Sequence, residues 1–202
     1  MHPDLITHIL FDLGNVLVGL NPLSNASMLC PALRAAHQPE FAIVNDYECG
    51  RVATDVFLAE APRALGVDIQ PDVLRLEFQR IVGEWYPQTP ELLQTLRRSY
   101  RLGCLSNTNR LHIAALRQRG PHLELLHDHF FSHEIGHMKP GPAAYECVIA
   151  AWQVRPEHIL FIDDRPENVT GAVQAGMQAL QAHGPDAVAA ALRPLLKAKK
   201  PM

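Results

Sequence analysis

No apolar run in this sequence reaches the length needed to cross a membrane. Its first residues also lack the basic stretch and long apolar core of a secretory signal, so a cytoplasmic protein is expected. Cysteine is scarce. Cys30, Cys49, Cys104 and Cys147 form no C-x-x-C pair and have no zinc-finger spacing, which argues against a disulfide scaffold or a zinc module. They are expected to be reduced and largely buried. Charge of one sign is missing as well. The net charge is −3 with both signs scattered, so no basic footprint for nucleic acid exists. The short basic run Lys197, Lys199, Lys200 reads as a solvated tail. Internal repeats and low-complexity segments are absent. What remains is apolar material: 48% of 202 residues, enough for one core domain with a modest insertion.

Leu5 to Phe11 is a short apolar run ending at Asp12 and Gly14, which predicts a buried strand and a tight loop. From Pro22 to Val82 the pattern changes. Phe57, Leu58, Ala61, Leu65 and then Val73, Leu74, Phe78, Ile81 recur at helical spacing, punctuated by Pro22, Pro39, Pro62 and Pro71. Beyond it, helices are expected at Pro90–Ser99, Thr108–Arg117, Pro142–Trp152, Pro166–Ala175 and Asp186–Leu196. Strands are expected at Tyr100–Leu105, His129–Ser132, Ile159–Ile162 and Met177–Leu180. This alternation implies an α/β fold, a three-layer Rossmann-like sandwich with a mostly parallel sheet. The α/β core takes residues 1–18 and 88–202, and a small helical insertion takes 19–87.

Ligands of such sheets bind beyond the carboxyl ends of the strands. The residues expected there are Asp12, Ser106 and the pair Asp163-Asp164, with Lys139 in a following loop. A carboxylate, a hydroxyl, a lysine and an acidic pair suit phosphoryl transfer, where catalysis is mainly positioning and charge neutralisation. Asp12 is a candidate nucleophile. Two carboxylates with water can hold Mg²⁺, a hard ion that favours oxygen ligands.

Four segments carry a resemblance. They are Ile9-Leu10-Phe11-Asp12-Leu13-Gly14-Asn15-Val16-Leu17, Leu105-Ser106-Asn107-Thr108-Asn109, Gly136-His137-Met138-Lys139-Pro140, and Phe161-Ile162-Asp163-Asp164-Arg165-Pro166-Glu167-Asn168 followed by Ala175-Gly176. In this order they resemble the haloacid dehalogenase superfamily over essentially the whole chain. Within it, FDLGNV and LSNTNRLH look like the bacterial α-D-glucose-1-phosphate phosphatase group and the phosphatase domain of soluble epoxide hydrolase. The resemblance implies Asp12 as nucleophile, Ser106 as phosphate ligand and Lys139 as neutralising cation. It implies Mg²⁺ on Asp12, the Gly14 carbonyl and Asp164, with Asp163 an outer or water-mediated ligand. Gly14, Asn15, Ser106, Asn107 and Lys139 form the expected phosphate-binding set, and Asn168 would orient Asp164 or a metal-bound water. The insertion would be a small helical cap that covers the site. Its segment Glu48-Cys49-Gly50-Arg51-Val52 resembles a cap loop that points toward it.

One position departs from the superfamily pattern. Most phosphatases of this kind carry a second Asp two residues after the nucleophile; here it is Gly14, whose side chain cannot move a proton. Glu48, His137 and Asp163 are candidate substitutes, with Glu48 ranked first. The expected activity is a Mg²⁺-dependent phosphatase acting on a small phosphorylated metabolite, a sugar phosphate among the candidates. The alternatives are a binding protein with little turnover and a 2-haloacid dehalogenase, though the acidic pair argues against the latter. Neither nucleic acid nor membrane is an expected partner, and the chain is a monomer or a homodimer. His129, His133 and His137 are spaced by four, but they fall on a strand and loop, which argues against a metal site. Arg110 and His112 are either substrate contacts or part of a surface helix. Trp85-Tyr86-Pro87 is expected to close the hinge between insertion and core.

Overall fold

The structure is a computed structural model that describes residues 2–21 and 42–198. Pro22, Cys30 and Pro39 lie outside these. Strand β1 (His8–Phe11) is the centre of the architecture: Ile9, Leu10 and Phe11 are wholly buried. It pairs in parallel with β4 (Arg101–Ser106) on one side and β6 (Ile159–Asp163) on the other. With β5 (Asp128–Phe131) and β7 (Gln178–Gln181) outside them, the sheet order is β5-β4-β1-β6-β7, parallel throughout. Such a sheet is covered on both faces, which is why its central strands β1 and β6 are nearly continuous apolar runs.

Side-chain alternation divides those strands between two cores. Ile9, Phe11, Leu102, Cys104, Leu160 and Ile162 point to one face. There they meet Leu93 and Leu96 of the helix at Thr89–Leu96, Ile113 and Leu116 of the helix at Arg110–Gln118, and Leu192 of the helix at Gly184–Ala198. Leu10, Leu105, Ile159 and Phe161 point to the other. Their partners are Tyr145, Val148 and Trp152 of the helix at Pro142–Trp152 and Ala172 of the helix at Pro166–Gln174. The result is helix, sheet, helix.

A third cluster belongs to the helices α1 (Ala42–Glu48), α2 (Thr54–Ala64) and α3 (Pro71–Ile81). Val44, Tyr47, Phe57, Leu58, Ala61, Leu74 and Phe78 pack together, and Leu111 joins them from the helix at Arg110–Gln118. Tyr47 stacks on Phe57 at 4.1 Å, and Phe57 meets Phe78 edge-on at 4.9 Å. In chain order the remaining helices are α4 (Thr89–Leu96), α5 (Arg110–Gln118), α6 (Ser132–Ile135), α7 (Pro142–Trp152), α8 (Pro166–Gln174) and α9 (Gly184–Ala198).

The structure adds one feature and moves some boundaries. Strands β2 (Val18–Leu20) and β3 (Val82–Trp85) pair antiparallel where the chain leaves and re-enters the core. They are short and contain Gly19 and Gly83, so no alternating pattern marks them. Val82 and Trp85 pack with the main core rather than with the α1–α3 cluster. Helix α5 starts at Arg110 rather than Thr108 because the Asn109 side chain accepts the His112 N–H and caps it. Ser132 does not end strand β5 but opens α6; its Oγ accepts from Thr108 N and donates to Thr108 O, both at 2.9 Å. Cys49, Cys104 and Cys147 are free thiols; only Cys104 is fully buried, the other two being half-buried.

Candidate active site

Three strand ends meet at one edge of the sheet. Asp12 follows β1, Ser106 closes β4 and Asp163 closes β6. The Asp12 N–H donates to the Ile162 carbonyl at 2.8 Å, which extends the β1–β6 ladder to the carboxylate-bearing residue itself. Oxygens of Asp12, Asp163 and Asp164 all lie within 4.8 Å of one another. Lys139, 4% exposed, sits between two of them: its Nζ is 2.9 Å from Asp12 Oδ1 and 2.6 Å from Asp163 Oδ2.

Asp12 and Lys139 titrate away from their ordinary values, for identifiable reasons. Burial pushes the Asp12 carboxyl above its ordinary value, Lys139 opposes this, and Asp163 adds to it. Burial would lower the Lys139 ammonium, but Asp12 and Asp163 outweigh it and hold the group up. Three carboxylates around one ammonium leave an excess of buried negative charge, which is costly unless a cation offsets it. The donor set, carboxylate oxygens only, fits a hard divalent ion.

The two aspartates of the pair have different surroundings. Both oxygens of Asp163 are engaged: Asn168 Nδ2 donates to each at 3.0 Å, Arg165 N to Oδ1 at 2.9 Å and Lys139 Nζ to Oδ2. Asp163 thus holds Lys139 in place. Asp164 is half-buried and lines the cavity; its Oδ2 accepts from Asn15 Nδ2 at 3.0 Å and lies 3.7 Å from His183 Nδ1. Asn15 has φ 55°, a left-handed conformation that asparagine tolerates, and its backbone is pinned by bonds with Val18 O and Gly184 N. Asn107 and Lys139 exchange a reciprocal pair at 2.8 Å, side-chain amide with backbone amide, which joins the β4 end to the lysine loop.

A cavity of about 350 Å³ opens from this cluster. Asp12, Gly14, Ser106, Lys139 and Asp164 line it, together with Glu48, His112 and the apolar side chains of Val18, Leu20, Ile81, Val82 and Leu116. Glu48 closes helix α1, and its position has a local cause. Gly50 has φ 70°, and a Cβ there would lie 2.0 Å from the His133 carbonyl oxygen. Only glycine lets the turn after α1 lie against α6. Burial raises the Glu48 carboxyl to about 7, and a hydrogen bond from the Asn109 side chain opposes the rise.

Of the residues singled out from sequence, Asp12, Gly14, Asn15, Glu48, Ser106, Asn107, Lys139 and Asp164 all line this cavity, and Asp163 backs it. His137 is exposed and Arg110 is exposed; neither lines it. His129 and His133 bond separately to the carbonyls of Leu123 and Thr108, and the histidines form no metal-holding group among the described residues. Trp85 lies in the core, and the Tyr86 N–H binds Leu17 O, so the aromatic segment anchors the β2–β3 passage. Asn109 is the residue that sequence reasoning gave too little: it is fully buried, caps α5 and bonds both Glu48 and His112. The N-cap pattern preceding α5 was its one sequence signal.

The chain and its fold are similar to known proteins. The chain is 23% identical over 189 residues to D-ribitol-5-phosphate phosphatase of Bacteroides thetaiotaomicron, covering 88% of this chain and 92% of that one. The structure of a predicted HAD-like family hydrolase from Porphyromonas gingivalis superposes with TM-score 0.81 at 25% identity, over 96% of this chain and all of that one. A HAD family enzyme from B. thetaiotaomicron, solved with magnesium and inorganic phosphate, does so with TM-score 0.75 at 21% identity, over 89% and 95% of the two chains. L-2-haloacid dehalogenases share the fold less closely, with TM-score 0.63 for that of Xanthobacter autotrophicus. The family model for haloacid dehalogenase-like hydrolases matches residues 6–176, from the strand before Asp12 through the helix after the acidic pair, and the chain belongs to that family.

Proposed function

We propose that this hydrolase is a Mg²⁺-dependent phosphomonoesterase acting on a small phosphorylated metabolite through an aspartyl phosphate at Asp12. The observation that carries this reading is one cavity holding Asp12 against Lys139 at 2.9 Å, with Ser106, Asp164 and Glu48 in its wall. An Asp12 oxygen attacks phosphorus as the bond to the substrate alcohol breaks, and the Glu48 carboxyl gives its proton to the leaving oxygen. The resulting Glu48 carboxylate then takes a proton from the water that attacks the aspartyl phosphate, and inorganic phosphate leaves. Ser106, Asn107 and Lys139 hold the phosphoryl oxygens, while Asp163 and Asn168 hold Lys139. Asp12, Asp164 and the Gly14 carbonyl would hold Mg²⁺, whose positive charge would offset repulsion between Asp12 and the incoming phosphate. Helices α1–α3 act as the cap that brings Glu48 over the site.

The named phosphatase relative and the magnesium–phosphate complex of a fold neighbour support this reading. The three clustered carboxylates weigh against a halide-releasing site, because nothing in that chemistry calls for a divalent cation. The test is a panel of phosphate esters with Mg²⁺. Purified protein is expected to release phosphate from at least one sugar or polyol phosphate, and Asp12→Asn to lose that activity by ~10³-fold or more. No release from any ester, or full activity in Asp12→Asn, would overturn the mechanism.

A further inference from the structure

Asn109 is a fully buried polar side chain at the start of α5. Its amide offers one acceptor oxygen and two donor hydrogens, and all three are engaged. Oδ1 accepts the His112 backbone N–H at 3.1 Å, which identifies the oxygen end of the amide. The nitrogen therefore faces His112 Nδ1, at 3.2 Å, and spends one hydrogen there. Burial lowers His112 to about 4, so the ring is neutral and Nδ1 can accept. The Phe78 backbone supplies a further hydrogen bond to that ring, from the last turn of α3, where helix carbonyls need partners from outside the helix. Helix cap and imidazole together fix the plane of the amide. Its second hydrogen goes to Glu48, at the end of α1.

An amide N–H only donates, so the Glu48 oxygen that it meets accepts. In a protonated carboxyl the carbonyl oxygen is the better acceptor and the hydroxyl oxygen carries the proton. Held in this way, Glu48 keeps its proton on the oxygen that Asn109 does not touch. Once the proton leaves, the same N–H stabilises the carboxylate that remains. The Glu48 carboxyl feels burial, which raises it to about 7, and the Asn109 hydrogen bond, which opposes the rise. The buried titratable groups on helices α2, α5 and α6 are His112 and His133, and burial lowers both. The charged side chains of those helices, Asp55, Glu60, Arg63, Arg110, Arg117 and Glu134, are exposed. On α1 itself, Asp46 pairs with Arg51.

We propose that Asn109 is a positioning residue for proton transfer: its amide takes one oxygen of Glu48 and leaves the proton on the other, for the leaving alcohol. This rests on the phosphomonoesterase reading above, in which Glu48 is the acid. In that step the Glu48 O–H bond and the ester P–O bond break. The alcohol O–H bond and the bond from Asp12 to phosphorus form. Asn109 neither gains nor loses a proton. It sorts the two oxygens of the acid and ties their position to the N-terminus of α5 in the core.

The experiment compares an alditol phosphate, whose alkoxide leaving group needs a proton, with p-nitrophenyl phosphate, whose phenoxide does not. The readout is kcat/KM, which covers the steps up to departure of the alcohol. Asn109→Asp keeps an oxygen to cap α5 but replaces the donor with a second oxygen, which competes for the Glu48 proton. It is expected to lower the ratio of kcat/KM, alditol ester over p-nitrophenyl ester, by about tenfold. Asn109→Ser keeps a capping hydroxyl but is too short to serve Glu48. Its ratio should fall in the same direction. The alkaline fall in its kcat/KM should also move up by about one pH unit, because the bond that stabilised the carboxylate is gone. A lower melting temperature with equal losses on both esters and an unmoved pH profile would make Asn109 a helix cap only and overturn the inference. Glu48→Gln separates that failure from a failure of the mechanism. If it lowers the ratio while both Asn109 variants leave the ratio unchanged, Glu48 is the acid and this inference alone is wrong. If Glu48→Gln leaves the ratio unchanged, or the wild-type protein hydrolyses no phosphate ester with Mg²⁺, the underlying reading fails and this inference falls with it.

Discussion

Each functional side chain at this edge is set by what surrounds it. Asp163 has every oxygen occupied and serves Lys139; Asp164, four positions from Asn168 and next to Asp163 in sequence, lines the cavity. Two adjacent aspartates thereby take different tasks. Glu48 shows the same dependence on environment. Its carboxyl, raised to about 7 by burial, is protonated below that pH and ionised above it. A group that must protonate the leaving oxygen then imposes a fall in kcat/KM as pH rises through about 7. Glu48→Gln is expected to lower kcat/KM and to lose that alkaline limb; a variant whose profile still falls there would remove Glu48 from the mechanism. Stability follows the same shift with a definite sign. The folded state binds this proton more tightly than the unfolded chain, so Glu48 costs stability progressively as pH rises from about 4.5 toward 7. The melting temperature of Glu48→Gln should therefore gain on that of the wild type over this window.

At the scale of elements, helix α1 matters because its end is held against the core. The anchor is Gly50. Gly50→Ala asks an L-residue to adopt φ 70° and pushes a Cβ onto the His133 carbonyl. Strain of this kind costs on the order of 1–3 kcal/mol, and relief requires the turn to lift away from α6. The expected outcome is a lower melting temperature together with reduced kcat/KM, because Glu48 lies two residues before the anchor. Unchanged melting and turnover would show that the turn does not position Glu48. Asn109 makes the comparable link on the core side, since one amide caps α5, orients His112 and meets Glu48.

For the whole molecule, the controlling feature is negative charge gathered at the carboxyl ends of a buried parallel sheet. Asp12 is largely buried and Asp163 fully so, and Lys139 compensates only in part. A divalent cation bound there stabilises the native state by mass action, by about 2.7 kcal/mol at a hundredfold excess over Kd. Mg²⁺ is thus expected to raise the melting temperature of the wild-type protein, EDTA to reverse the rise, and Asp164→Asn to abolish most of it. A melting temperature indifferent to Mg²⁺ would argue that the carboxylates hold no metal.

The order of strands and helices, the parallel sheet and the four strand-end motifs were legible from sequence alone. Apolar runs of strand length alternating with helical spacing admit few other folds, and carboxylates at strand ends have few other uses. The β2–β3 pair was not legible, because two short glycine-containing segments far apart in sequence carry no local signal. Sequence placed Glu48 among three candidates for the missing acid; tertiary structure put Glu48 in the cavity, left His137 on the surface and gave Asp163 another occupation. That choice depends on packing and desolvation. Both arise only when α1, α5 and the sheet edge come together, and no stretch of sequence contains them.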